Sequence, residues 1–278
     1  MKKITFLLIL AISAIGCGSD DDDAIEIPGC IDPESTNYNP LATTDDGSCI
    51  YNQNVTFNFT QDWDGKPVTA ADFNTTVYTN EAGNELKISK LRYLISRISL
   101  HKADGTSVDF EDYSLIDLTD STTLNLSPET KLTTGDYTGI SFVYGFNEQD
   151  NESGAYPDLN AATWNWPEML GGGYHFMQME GTFEDNTATT QPYAYHNGTA
   201  RESVGVFEQN FIAFSFDKNF TISSDATIEI KMNIAEWYKN PLVWDLNDRS
   251  TDLMMNYTAQ KDMNKNGESV FSIGDITD

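Results

Sequence analysis

From Asn54 onward apolar and polar side chains alternate residue by residue, and no other feature of the sequence constrains the fold as strongly. Val55-Thr56-Phe57-Asn58-Phe59 and Glu85-Leu86-Lys87-Ile88-Ser89 alternate strictly, and residues 94–100 nearly so. Residues 137–146, 174–183, 211–216 and 227–232 continue the pattern. A period of two puts every second side chain on one face, as a half-buried strand requires. The runs are rich in Ile, Val, Thr, Phe and Tyr and end at Gly, Asp or Asn, the composition of strands and turns. Asp104-Gly105 between Leu100 and Val108 is a hairpin signal. Helical periodicity is scarce: residues 234–240 have room for a turn or two, and residues 251–264 for a short helix near the end. The expected fold is all-β, an antiparallel β-sandwich with a short C-terminal helix, and residues 54–278 form one domain.

The beginning of the chain reads differently. Met1-Lys2-Lys3 precedes an apolar run over residues 4–15, a signal-peptide pattern too short for a comfortable membrane span. Ala14-Ile15-Gly16-Cys17 resembles a bacterial lipobox, so residues 1–16 are expected to be removed and Cys17 to be lipidated. Residues 17–28 then form an acidic linker. Its Ser19-Asp20-Asp21-Asp22-Asp23 run resembles the surface-export signal of Bacteroidetes lipoproteins. A lipid anchor holds a protein to a membrane without a spanning helix. The expected location is the cell envelope, anchored in the outer membrane and surface-exposed, with the periplasmic face as the other option.

Cys30 and Cys49 are the two cysteines left, and in an oxidising compartment they are expected to pair. Residues 29–51 are rich in Asp, Asn, Pro and Gly and have almost nothing apolar to bury, so a disulfide is the constraint available to them. The stretch resembles a short repeat of secreted proteins of marine Bacteroidetes. Asp32, Asn37, Asn39, Asp45 and Asp46 are candidate calcium ligands through hard oxygens; the competing account is turn chemistry.

Charge excludes one class of partner. The chain has 16 Lys+Arg against 43 Asp+Glu, a net charge of -27, and loss of residues 1–16 removes two lysines and no acid, giving -29. Such a surface repels phosphate, so no nucleic-acid partner is expected. No G-x-S-x-G elbow occurs, and Gly171-Gly172-Gly173 lacks the ending of a phosphate loop. An acid-pair hydrolase has many carboxylates to draw on, but spacing singles out no pair. Asp262-x-Asn264-x-Asn266-Gly267 opens like an EF-hand loop, but its twelfth position is Ile273; a polar turn after a helix is the expectation there.

Residues 164–196 are the richest in chemistry. They contain His175 and His196 of the three histidines, Trp164 and Trp166, and Met169, Met177 and Met179. Imidazole and thioether suit copper. On a strand, His175, Met177 and Met179 share a face, although methionines at such positions commonly fill a core. His101 is expected in a solvated turn.

Landmarks spread along the chain resemble the MbnP family, exported proteins encoded near methanobactin or copper-uptake genes and related to the methanotroph copper proteins MopE and CorA. They are residues 90–100, Gly135-Asp136-Tyr137 to Phe142, Trp164-Asn165-Trp166, Gly173-Tyr174-His175-Phe176 with Glu180-Gly181, Tyr195-His196-Asn197-Gly198, and a closing Asn266 to Phe271. The resemblance implies a β-sandwich and a copper site at which histidines act with a tryptophan oxidised to kynurenine by an MbnH-type di-haem partner. His196 carries over directly. Trp164 is the candidate kynurenine. The family's Trp-x-His is Trp164-x-Trp166 here, so His175 is the second imidazole. The implied function is copper binding or handling without catalytic turnover; the alternative is a non-metal surface interaction protein on the same scaffold.

Overall fold

The computed structural model describes residues 25–278 and divides them into two compact units, one ending at Cys49 and one running from Ile50 to Asp278. Cys17, the rest of the signal segment and the acidic run lie outside the described residues. No described helix is long and apolar enough to cross a membrane.

In the first unit Pro28–Gly29 pairs with Thr44–Asp45, and Cys30 is bonded to Cys49 as expected. Four of the five candidate calcium ligands act as turn acceptors. Asp32 takes the amide of Glu34, Asp45 that of Gly47, Asp46 that of Ser48 and Asn39 that of Leu41, while the Asn37 amide group donates to the Ser48 carbonyl.

The second unit is a sandwich. Its long strands are β1 (Val55–Trp63), β2 (Glu85–Lys102), β3 (Ser107–Asp117), β4 (Gly135–Tyr144), β5 (Met177–Glu184), β6 (Thr190–Asn197), β7 (Ile212–Ile222), β8 (Ala226–Asn233) and β9 (Phe271–Thr277). The larger sheet runs β6-β5-β2-β4-β7, with β3 folded back on β2 as the Asp-Gly hairpin predicts. β2 is long enough to pair first with β5 and then with β4. The smaller sheet runs β9-β8-β1. Its β8–β1 pair is parallel, the one departure from antiparallel order among the long strands.

Alternation builds the core. Phe57 and Phe59 of β1, Leu91 and Tyr93 of β2, Phe142 of β4 and Phe271 of β9 are all buried in it. Phe271 packs against Tyr93, Phe142 and Phe214, which joins the two sheets. Each such ring removes roughly 150–250 Å² from water, so these contacts dominate stability.

Both helical segments the sequence left room for are present, with shifted bounds. Residues 234–238 form a 3-10 turn, and the C-terminal α-helix is Tyr257–Gly267, capped by the Asn256 side chain on the Ala259 amide. Asp262, Asn264 and Asn266 therefore lie inside a helix, not in a turn after it. Asn266 is fully buried, with its amide group donating to the carbonyls of Trp237 and Leu242.

A second, smaller core covers the outer face of the larger sheet. Leu94 points away from the sandwich interior and meets Phe146, Leu159, Trp164 and Tyr174, all from the excursion between β4 and β5. That excursion carries the candidate site.

Candidate metal centre

A local clasp sets the site. Asn165 bridges to Tyr174, the His175 amide donates to the Trp164 carbonyl at 2.8 Å, and the Trp166 amide donates to the Gly173 carbonyl at 2.9 Å. The chain turns between these segments through Glu168–Leu170 and Gly171-Gly172-Gly173, all three glycines in the left-handed region. At Gly173 (φ 79°) a Cβ would also sit 2.3 Å from the Asn151 side-chain oxygen, so glycine is required there twice over. The triple glycine is thus the device that returns the chain from Trp166 to His175.

β6 brings the second imidazole. His196 stands opposite Gln178 of β5, and the Phe176 amide donates to the Asn197 carbonyl at 2.7 Å. The buried Gln260 of the C-terminal helix donates to the His196 carbonyl at 2.7 Å and accepts from the Gly198 amide at 3.2 Å. Gly198 permits a close approach: a Cβ there would lie 2.6 Å from the Trp166 ring.

The result is a compact group of four rings. His175 and His196 have ring centres 5.4 Å apart at 78°. His175 is 5.4 Å from Trp164 and 4.9 Å from Trp166. Trp164, Trp166 and His175 are buried, with His175 6% exposed. The site lies against the outer face of the larger sheet, beneath the excursion.

Met177 and Met179 are not part of it. Both are buried in the sandwich core, and the Met179 sulfur accepts from Tyr238 at 3.6 Å. His175 precedes the start of β5, so the shared face expected for His175, Met177 and Met179 does not form. His101 is also elsewhere: it sits on β2, half-buried, between Ser107 at 2.9 Å and Ser141 at 3.0 Å, in a groove of about 700 Å³. The strand, not a turn, holds it.

Burial governs the electrostatics. Desolvation pushes His175 from its ordinary 6.5 to about 4, against the pull of the Trp164 carbonyl 3.0 Å from Nδ1. Burial also lowers His196, opposed by Glu180, whose carboxylate lies 3.0 Å from Nε2. Burial pushes Glu180 up, but hydrogen bonds from Lys90 and His196 hold it below its ordinary value. With both imidazoles lowered, the His196–Glu180 contact is a hydrogen bond to a carboxylate and not a full ion pair.

The two indoles differ. Trp166 donates its Nε1 hydrogen to the Leu170 carbonyl at 3.3 Å. Trp164 Nε1 is buried with no partner, an arrangement that costs about 1–3 kcal/mol. Arg92 lies over the Trp164 ring at 5.0 Å while pairing with Asp117 at 3.2 Å.

Two imidazoles suit a first-row transition metal such as copper, held at low coordination number. A metal about 2 Å from an imidazole nitrogen lies roughly 3 Å from the ring centre, so two rings sharing it have centres within about 6 Å. His175 and His196 meet that condition. Among the described residues no set of three His, Cys, Asp or Glu is placed to hold a metal. A third donor from the described residues would therefore be of another type, and an indole opened to kynurenine would supply an amine and a ketone beside the two rings.

The MbnP profile matches residues 52–256. The chain belongs to the MbnP family. Among solved structures, MbnP from Methylosinus trichosporium matches with 15% identity and a TM-score of 0.48, over 80% of this chain and 98% of that one. No curated protein matches. The MbnP profile covers every residue of the four-ring group.

Sequence reasoning missed Glu180, Lys90 and Arg92 as members of the site. The signal was present: their alternation with the core residues Leu91, Tyr93 and Met179 puts them on the outer face.

Proposed function

We propose that this MbnP-family protein binds and handles copper, without catalytic turnover, at His175 and His196 with Trp164 as the oxidised third participant. The observation that carries the reading is the 5.4 Å separation of two imidazole rings, the buried His175 of the excursion and the partly buried His196 of β6. Neutral imidazole is a good copper ligand, and partial burial favours a weakly hydrated ion such as Cu(I). Trp164 is favoured over Trp166 for modification, because its unpaired Nε1 and the adjacent Arg92 leave it without the hydrogen bond that fixes Trp166. An MbnH-type di-haem enzyme is the proposed oxidising partner. Lipid attachment at Cys17 would hold the protein at the outer membrane.

Metal analysis of protein purified from its native cell envelope, with peptide mass spectrometry across residues 164–166, tests this. The expected result is about one copper per chain and the kynurenine mass at Trp164 alone. Absence of copper together with two unmodified indoles would overturn it.

A further inference from the structure

Beyond which residues bind, the geometry points to which atoms do: we infer that Glu180 and the Trp164 carbonyl fix the two imidazoles in opposite tautomers, leaving Nε2 of His175 and Nδ1 of His196 as the lone pairs the site presents. The use of those lone pairs rests on the copper reading above; the tautomers stand on hydrogen-bond chemistry alone.

A backbone carbonyl only accepts. The Trp164 oxygen lies 3.0 Å from His175 Nδ1, so Nδ1 carries the hydrogen and Nε2 the lone pair. An ionised carboxylate likewise only accepts. Glu180 Oε1 lies 3.0 Å from His196 Nε2, so here Nε2 carries the hydrogen and Nδ1 the lone pair. The two rings face acceptors through different nitrogens, and one site is thereby given one lone pair of each kind.

Glu180 is a positioning residue in this arrangement and not a ligand. Its Oε1 is shared between His196 and the Lys90 ammonium, 2.9 Å away. A cation bound at Oε1 would meet that ammonium at close range, and like charges at such a distance repel. Lys90 in turn keeps Glu180 ionised and aimed at the ring. The register explains the trio: Glu180 pairs with Lys90 across β5–β2, and β6 lies on the other side of β5. A carboxylate on the far nitrogen of a metal-bound imidazole orients the ring and raises its basicity, and removal of such a partner typically costs 10–100-fold in metal affinity.

The test is two-bond proton–nitrogen NMR of the imidazoles in metal-free protein, for wild type, Glu180→Gln and Glu180→Leu, followed by copper titration of each. Wild type is expected to show Nδ1–H at His175 and Nε2–H at His196. Glu180→Gln keeps an acceptor and the His196 tautomer. Glu180→Leu is expected to mix the His196 tautomers and to weaken copper binding by roughly 10–100-fold. Nδ1–H at His196 in wild type overturns the inference even if neither variant folds, and so does a Glu180→Leu spectrum identical to wild type. Opposite tautomers in a wild-type protein that takes up no copper would sustain the assignment and overturn the functional reading.

Discussion

His175 makes the folded protein sensitive to acid. Burial lowers its folded pKa to about 4, below its ordinary 6.5, so the unfolded chain binds a proton more readily than the native one. Stability therefore rises with pH across this window and falls as pH drops from about 6.5 toward 4. The full loss is on the order of 3 kcal/mol, from a shift of that size at 1.36 kcal/mol per unit. Denaturant melts of wild type and His175→Phe at pH 7 and pH 4.5 measure it: the wild type is expected to lose more stability than the variant over that interval. Equal losses would show that His175 is solvated. Copper should raise stability near neutral pH but steepen its loss toward acid, because a ligated nitrogen does not accept a proton while the unfolded chain still does. The pairing of His175 with His196 was legible from the sequence only by family resemblance. The lone Met-His spacing misled because His175 lies just outside the strand that Met177 begins, and strand parity does not extend through such a break.

Secondary-structure elements were legible where one face is buried and one is wet. β1 and β8 alternate over their whole length; β8 was bounded to within a residue at each end, while only the first five residues of the nine-residue β1 were read. β2 read as two short runs because Leu91, Tyr93, Leu94 and Ile95 are all buried. The second core covers its outer face at Leu94, and a strand buried on both faces loses its alternation. The same covering hid the site, since it comes from an excursion with little periodic structure. That excursion is also where a small change should do the most damage. Gly198→Ala places a Cβ 2.6 Å from the buried Trp166 ring, and overpacking of this kind costs about 1–3 kcal/mol. The variant is expected to melt lower by that amount, to shift the tryptophan emission to longer wavelength and to bind copper more weakly. A melt and emission spectrum matching wild type would mean that Trp166 has room the structure does not show.

At the scale of the whole molecule, each unit is held by a different means. The unit from Ile50 onward has a large aromatic core spanning both sheets and contains all five tryptophans. Among the described residues of the unit ending at Cys49, Cys30 and Ser35 are the buried ones, and that part relies on its disulfide, which closes a loop with a sequence separation of 19. Closing such a loop is worth about 3 kcal/mol in the chain-entropy account. Replacing both cysteines with serine is expected to collapse the amide dispersion of residues 27–49 in NMR spectra while tryptophan emission stays that of folded protein. Retained dispersion would show that turn hydrogen bonds suffice. Copper binding should survive this change, since the four rings all lie in the larger unit.

Whether His175 and His196 share one copper ion is decided by an equilibrium copper titration of wild type, His175→Ala and His196→Ala against a competing chelator. Wild type should bind one ion per chain, and each single substitution should weaken it by a similar, large factor, because neither imidazole forms the site alone. Wild-type affinity retained in either variant would contradict the account.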